Sequence, residues 1–521
     1  MQTRPDGQQN PPARNPRRWW LLATVSLGLF MITIDNSVLY TALPTLTQEL
    51  HASALESLWI VNAYPLAIAG LLMGTGTLGD RVGHRRMFTL GLVVFGLASL
   101  LAAFAPAPAV LITARAFLGI GGAMMMPATL ALISRTFDIE RERNLAIAIW
   151  GAVSLVGAAA GPVLGGLLLE HFWWGSVFLV NVPITVLALL AVPLVAGPNL
   201  THPEKPWDFA SSALAALTLV GLVFFIKELA RTDPHWFLAL LALAVGAGAA
   251  WAFTARQRRL TYPLLDFTIF RNPVFLAGVL AAALTMFAIA GIDLVAVQRF
   301  QLVAGFSPLE AGLLVTVLAV SSLPFSVLGG AILHRVGYFP LISGGLAIAA
   351  VGAGLLAASI HHTFTAVVLG LVVLGVGLGL TMSVASSAII GNAPASRAGM
   401  ASSVEEVSYE FGSLLSVALL GSLINLVYAN RVQLPAGTPP EAAEALSSAV
   451  AAAGSDSAVL DPAFAAYDVS FTVVVGLAAV VLALTALVTG VLLIRGARAR
   501  ARTGSGEERT RERGASAVVG S

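Results

Sequence analysis

Long apolar runs broken by short polar stretches make up most of this chain. A helix needs about 20 apolar residues to cross the hydrocarbon core of a bilayer. Fourteen such runs can be read, at 19–43, 57–77, 87–104, 108–134, 144–169, 175–196, 209–229, 236–255, 273–298, 308–333, 340–360, 364–390, 398–428 and 469–494. The pattern predicts an all-α polytopic membrane protein with an N-terminal tail at 1–18, six helices over 19–196, two linking helices over 197–260 and six more over 261–494. The longest loop, 429–468, lies between the last two spans, is rich in Ala, Pro and Gly, and is expected to be partly ordered. Residues 495–521 read as a polar, disordered tail.

The thirteenth run differs from the others. It carries Glu405, Glu406 and Glu410 within six residues. A charge at the bilayer centre costs roughly 2.5–3.5 kcal/mol on insertion scales, so these side chains are expected to face a water-filled cavity, to be protonated, or both. Glu406 and Glu410 are i and i+4 and share one helix face, with Glu405 about 100° around the helix. A polar loop is the competing reading of this stretch. The lack of proline and the immediate return of apolar residues at Leu414, Leu415 and Val417 speak against it.

Composition agrees with a membrane protein: 57% of residues are hydrophobic, 11% are charged, and mean hydropathy is +0.86. A soluble globular protein carries about 25% charged residues. No cysteine is present, which excludes disulfides, thiolate metal sites and a Cys nucleophile. The net charge of +2 and pI near 9.1 do not point to nucleic acid, because the basic residues are dispersed among short loops. Arg17 and Arg18 precede an apolar run too long for a signal peptide, so the first run is expected to be a retained helix.

Loops that face the cytoplasm are rich in Lys and Arg. With the N-terminus inside, the inner segments hold Arg14, Arg17, Arg18, Arg81, Arg85, Arg86, Arg135, Arg141, Arg143, Arg256, Arg258, Arg259, Arg271, Arg335, Arg397, Arg495, Arg498, Arg500 and Arg502. The outer segments hold only Arg231, Arg299 and Arg431. This asymmetry supports fourteen spans with both termini cytoplasmic.

An internal repeat shows through as well. Gly76-Thr-Leu-Gly-Asp80-Arg81-Val-Gly83 follows the second run, and Gly330-Ala-Ile-Leu-His-Arg-Val-Gly337 follows the tenth. Two six-helix halves with two helices inserted between them is a transporter layout.

These residues also carry a resemblance. Ile34-Asp35-Asn-Ser-Val-Leu-Tyr-Thr-Ala-Leu-Pro44 looks like a first-helix signature of the fourteen-helix drug:proton antiporters of the major facilitator superfamily. The stretch from Gly76 to Arg86 looks like the superfamily's cytoplasmic loop motif, with His84 where a basic Arg is usual. Arg115-Ala-Phe-Leu-Gly119-Ile-Gly121-Gly122 resembles the fourth-helix motif that contributes to proton coupling, with Leu118 where Gln is common. Gly157-Ala-Ala-Ala-Gly161-Pro162-Val-Leu-Gly165-Gly166 resembles the fifth-helix antiporter motif. The pattern at 405–410 is most similar to QacA-type exporters of quaternary ammonium compounds, although Trp59-Ile-Val-Asn62 has Asn where those exporters often carry Asp.

The resemblance implies a bacterial inner-membrane, multi-pass exporter that exchanges lipophilic organic cations for protons by alternating access. It would act as a monomer, would not be an enzyme, and would use no cofactor and no metal. The alternative is export of a neutral or anionic natural product, with the acids serving protons alone. The chain has no Gly-x-x-x-x-Gly-Lys-Ser/Thr stretch for ATP, so the proton gradient would supply the energy.

Site roles follow as expectations. Asp35 with Glu405, Glu406 and Glu410 would bind protons or a cation in turn, provided all face one central cavity; carboxylates that are buried together favour the neutral form. For Asp35 the alternative is a structural acid bonded to Asn36 or to a neighbouring helix. Arg115 would be an ion-pair partner that changes with protonation state, or would snorkel to an interface. Asp80, Arg81, Gly83 and Arg85 would form a conformational latch, with Asp80 pairing across the two halves. Gly157, Gly161, Gly165 and Gly166 allow close helix approach, and Pro162 can kink the fifth helix. Asn62, Tyr64, Trp150, Tyr409 and Asp293 are candidates for a substrate pocket, where aromatic rings offer cation–π surface.

Overall fold

The computed structural model describes residues 17–137, 139–201, 208–229, 234–260, 263–360, 363–393, 398–454 and 456–519. Of the charged loop residues considered above, Arg14, Arg231 and Arg397 lie outside these ranges, and the side chain of Asp80 is outside the description too. The described residues are helical almost throughout, without a strand. The first half consists of α1 (Arg17–Glu49), α2 (Ala54–Val82), α3 (His84–Ala103), α4 (Pro108–Thr136), α5 (Glu140–His171) and the pair α6 (Ser176–Leu179) and α7 (Asn181–Val195). Next come α8 (Phe209–Leu229) and α9 (Trp236–Gln257). The second half holds α10 (Pro273–Leu302), α11 (Pro308–Val336), α12 (Tyr338–Ser359), α13 (Phe364–Ile390), α14 (Ala398–Arg431), the short α15 (Leu446–Ala453) and α16 (Ser457–Val519).

Among the described residues, thirteen helices are long and apolar enough to span a membrane, α6 and α7 together forming one of them. The fourteenth is α5, which bends by 41° between Ile149–Ala158 and Ala160–His171. Pro162 has no N–H to offer the carbonyl of Ala158, and that missing bond lies at the bend. The loop alternative for 398–428 is excluded, because α14 is continuous from Ala398 to Arg431.

Two expectations need correction. The last helix begins at Ser457, well before 469, and it continues to Val519 through the segment expected to be disordered. The loop before it is therefore shorter than expected, and it is partly ordered as expected, with a 3-10 turn at Pro440–Ala443 and α15 at Leu446–Ala453.

The internal repeat is visible in the backbone. α2 and α11 are each 29 residues long. Each starts with a capping box: Ser53 with Glu56, and Ser307 with Glu310. Each ends at a glycine with positive φ, Gly83 at 99° and Gly337 at 82°, a backbone region that other L-residues rarely adopt.

Two apolar cores result. One joins α1 to α7 around Val25, Leu39, Phe88, Phe95, Leu118 and Phe178. The other joins α10 to α16 around Phe275, Ile342, Leu374, Tyr428 and Phe471. α8 packs on α9, on α2 and on α14, and a small cluster of Val223, Leu414 and Ala418 ties it to the seam between the halves.

Candidate functional site

In the first half a polar unit is fully enclosed. Asp35 on α1 and Arg115 on α4 form an ion pair at 2.5 Å with no solvent exposure of either side chain. Asn181 on α7 donates its amide to the other oxygen of Asp35 at 2.8 Å and to Ser99 Oγ at 3.3 Å. Arg115 Nε donates to the carbonyl of Ile60 at 3.2 Å, and the guanidinium carbon lies 4.5 Å from the centre of the Tyr64 ring. The Tyr64 hydroxyl in turn donates to the carbonyl of Ile32 at 3.2 Å. A charge taken out of water is costly, and close pairing with further hydrogen bonds offsets that cost. Five helices therefore meet on one neutral unit. Arg115 Nη2, the Asn181 carbonyl oxygen and both amide atoms of the buried Asn62 have no hydrogen-bond partner among the described residues.

The second half presents its acids differently. Tyr409 donates to Glu405 Oε1 at 3.1 Å, one turn along α14, and Ser386 on α13 also bonds this carboxyl. Glu405 is thus held within the second half. Glu406 and Glu410 lie on the next face of α14, half-buried and within electrostatic reach of each other. Neither makes an ion pair with any described residue, and Glu410 Oε2 is buried without a partner. Asp293 on α10 is half-buried, and its Oδ1 is unpartnered as well.

The expectation that Asp35 and the glutamates face one cavity is not met. Both oxygens of Asp35 are engaged inside the first half, and the residue is fully buried. What connects the two groups is charge at a distance. Glu410 is within electrostatic reach of Arg115 and of Tyr64. Tyr40 is within reach of Glu410 and Asp293, and its hydroxyl lies 3.5 Å from Ser413 Oγ across the interface of the halves.

The remaining pocket candidates are placed as follows. Tyr64 lies against Arg115 and is fully buried. Trp150 Nε1 donates to Thr129 Oγ1 at 3.1 Å, inside the first half. Tyr409 is bonded to Glu405, and Asn62 is fully buried.

The glycines of α5 form a seam. A side chain at Gly157 would meet Thr33, at Gly161 Ser37, and at Gly165 Val38, so α5 rides directly on α1. Gly166 lies against the backbone of Leu309, and Gly312 against the carbonyl of Pro162, which joins α5 to α11 of the other half. This joint lies at the end of the bundle that the arginines predict to be outer. Gln301 donates to the carbonyl of Thr41 at 2.9 Å and Gly421 packs on Leu58 at that same end.

At the opposite end, Gly83 is covered by Asn199, whose amide donates to the Val82 carbonyl at 2.8 Å and whose oxygen accepts from the Arg86 N–H at 3.2 Å. Arg85 donates to the carbonyl of Gly197 at 3.1 Å. Arg81 is exposed. Gly83 and Arg85 are therefore tied to the segment leaving α7, not to the other half.

Asn181, Ser99, Ser386 and Asn199 were not anticipated. A lone Asn in the apolar run 175–196 was the available signal for Asn181.

Comparison with known proteins places this geometry. Residues 25–417 match the family described as Major Facilitator Superfamily. The chain is 38% identical over 496 residues to the multidrug efflux pump LfrA of Mycolicibacterium smegmatis, covering 92% of this chain and 98% of LfrA. It is 36% identical over 485 residues to the methyl viologen resistance protein SmvA of Salmonella typhimurium, covering 90% and 97%. The fold matches the crystal structure of a bacterial homolog of the human lysosomal transporter Spinster, in an inward-facing and unoccupied conformation, with a TM-score of 0.66 and 18% identity over 93% of this chain and 99% of that one.

Proposed function

The chain belongs to the Major Facilitator Superfamily, and from that premise we propose that it exports lipophilic organic cations in exchange for protons. One observation carries the reading: Glu406 and Glu410 sit one turn apart inside a spanning helix, half-buried, with no cationic partner among the described residues. A carboxylate at that depth calls for a positive charge. A proton on each acid supplies it, and so does one lipophilic cation beside the pair. The two occupancies exclude each other, and that exclusion is the basis of antiport. The acids titrate as a coupled set.

The arginine pattern supports an orientation with both termini in the cytoplasm. In this reading the chain acts as a monomer in the inner membrane of a bacterial cell. With that orientation, the Gly166–Leu309 and Gly312–Pro162 contacts close the outer end, and the glutamates load from the cytoplasm. Protons entering from outside displace the cation once the halves rock open there. Each charge moved across the field contributes about 2.3 kcal/mol per 100 mV. Asp35 and Arg115 answer the charge state of Glu410 through the field between them, and the loop holding Asp80, Arg81, Gly83 and Arg85 acts as a latch on the rocking motion. SmvA is a methyl viologen resistance protein, and methyl viologen is itself an organic dication.

The test is ethidium efflux from energised vesicles for the wild type, Asp35→Asn and Glu406→Gln. Efflux that collapses with a protonophore and is lost in both variants supports the reading. A well-folded wild type with no cation efflux, and no proton release on adding cations, overturns it in favour of a neutral or anionic natural product.

A further inference from the structure

The hairpin of α8 and α9 carries a second feature, unrelated to the acids. Between the two helices a groove of about 390 Å³ opens away from the bundle, lined by Leu214, Trp251, Ala252, Ala255, Arg256, Arg259 and Leu260. Its wall is apolar and its mouth is basic. Trp251 is 75% exposed there, and an aromatic ring beside arginines at the end of a span is the pattern of a membrane–water interface. The rest of α9 exposes Trp236, Phe237, Leu240 and Leu241, so the groove opens onto lipid.

The mouth is built and fixed. Asp208 accepts from Arg256 Nε at 3.0 Å and from Arg256 Nη2 at 2.9 Å, and the Ser211 hydroxyl bonds the same carboxyl. Gln257 is buried; it donates to Ser211 Oγ at 2.6 Å and accepts from the Leu264 and Leu265 N–H groups at 2.7 and 3.2 Å. These bonds turn the chain back after α9 and set Arg259 on the rim. Partial burial works against ionisation of Asp208, but the bonds from Arg256 and Ser211 prevail and hold its carboxyl below the ordinary range. Arg256 is therefore already answered. Arg258 and Arg259 are exposed and make no ion pair with any described residue.

We propose that this groove holds one anionic phospholipid of the leaflet facing residues 256–260, an acyl chain lying along Leu214, Trp251, Ala252 and Ala255 and the phosphate meeting Arg259. A guanidinium matches phosphate oxygens in a bidentate geometry, and basic pockets between spanning helices hold anionic headgroups. The proposal takes from the functional reading only the orientation of this end, and binding can be measured without transport.

The test offers the purified full chain an equal mixture of phosphatidylglycerol and phosphatidylcholine and counts the retained lipids by native mass spectrometry. The wild type is expected to retain phosphatidylglycerol preferentially. Arg259→Gln lowers that preference by about fivefold, the share of one basic residue at a membrane surface. Ala255→Leu, which fills the groove, lowers it too. Arg495→Gln removes the same charge elsewhere at this end and leaves the preference unchanged. Three results would each overturn the proposal: equal retention by wild type and Arg259→Gln, an equal drop in Arg495→Gln, or displacement of phosphatidylglycerol by inorganic phosphate, which would mark a free-anion site.

Discussion

Arg115 and Asp35 come from helices that do not adjoin in the chain, and they meet as a fully buried ion pair with Asn181 on the second carboxylate oxygen. Removing one member leaves the other as an uncompensated charge, which costs about 3–5 kcal/mol. Asp35→Asn and Arg115→Met are each expected to lower the thermal unfolding temperature in detergent markedly. The double variant should regain much of the loss, because no lone charge remains, while proton-coupled efflux stays absent. Single variants as stable as the wild type would show that the pair is not closed in the working protein.

Asn181 allows a finer separation. Its bond to a charged group is worth about 1.5–3 kcal/mol, so Asn181→Val should destabilise less than Asp35→Asn. Substrate affinity in the detergent-solubilised protein should be unchanged, because both amide contacts lie inside the first half, away from Glu406 and Glu410. Loss of cation binding in this variant would move Asp35 into the substrate site.

Glu406→Gln and Glu410→Gln should behave in the opposite way. Neither acid has an ion-pair partner among the described residues, so the amide removes a charge that no direct contact offsets. Stability is expected to hold or rise slightly, while binding of tetraphenylphosphonium and ethidium efflux are lost. Glu405→Gln should keep more activity, since Tyr409 and Ser386 already engage that carboxyl. A fluorescence binding titration on the three variants checks the order.

The fold was largely legible because crossing a bilayer imposes one long apolar run per helix. The runs at 209–229 and 364–390 coincide with α8 and α13. Legibility failed where a helix leaves the membrane. Asp461, Pro462 and Asp468 interrupt the apolar pattern, yet α16 already runs through them, and Asp468 is bonded by Arg299 at 2.9 Å. For the site, i and i+4 spacing correctly separated Glu406 and Glu410 from Glu405. Pairing between distant helices was invisible. Asp35 and Arg115 could each be singled out, but nothing local says which face of α1 turns toward α4, and Asn181 lies 146 residues from the carboxylate it binds.

The paired capping boxes give a stability prediction that is independent of function. Ser53 and Ser307 each accept, through the side-chain hydroxyl, from the third backbone N–H of the following helix, at 3.3 and 3.2 Å, and each serine's own backbone N–H donates to the carboxylate of Glu56 or Glu310. Ser53→Ala and Ser307→Ala should each cost about 1 kcal/mol. The sites lie in different halves, so their effects should add within about 0.5 kcal/mol. Thermal unfolding of the single and double variants measures both numbers.

The joint between α5 and α11, at the end proposed to be outer, yields the last prediction. Gly166 touches the Leu309 backbone and Gly312 touches the Pro162 carbonyl, so neither position has room for a side chain while the halves stay together. Gly166→Leu or Gly312→Leu must therefore push α5 and α11 apart at this end. The absence of native cysteine permits a clean accessibility test. Ser57 lines a crevice at the same end, together with Leu58, Gln298 and Asn425, and the contact of Gly421 with Leu58 narrows it. In a Ser57→Cys background, a membrane-impermeant maleimide added from outside should label slowly. Either leucine variant should raise the rate several-fold, and transport should fall because the outer end no longer closes. Rapid labelling of the parent, equal to that of the variants, would mean that this joint is not the closed gate of the resting protein.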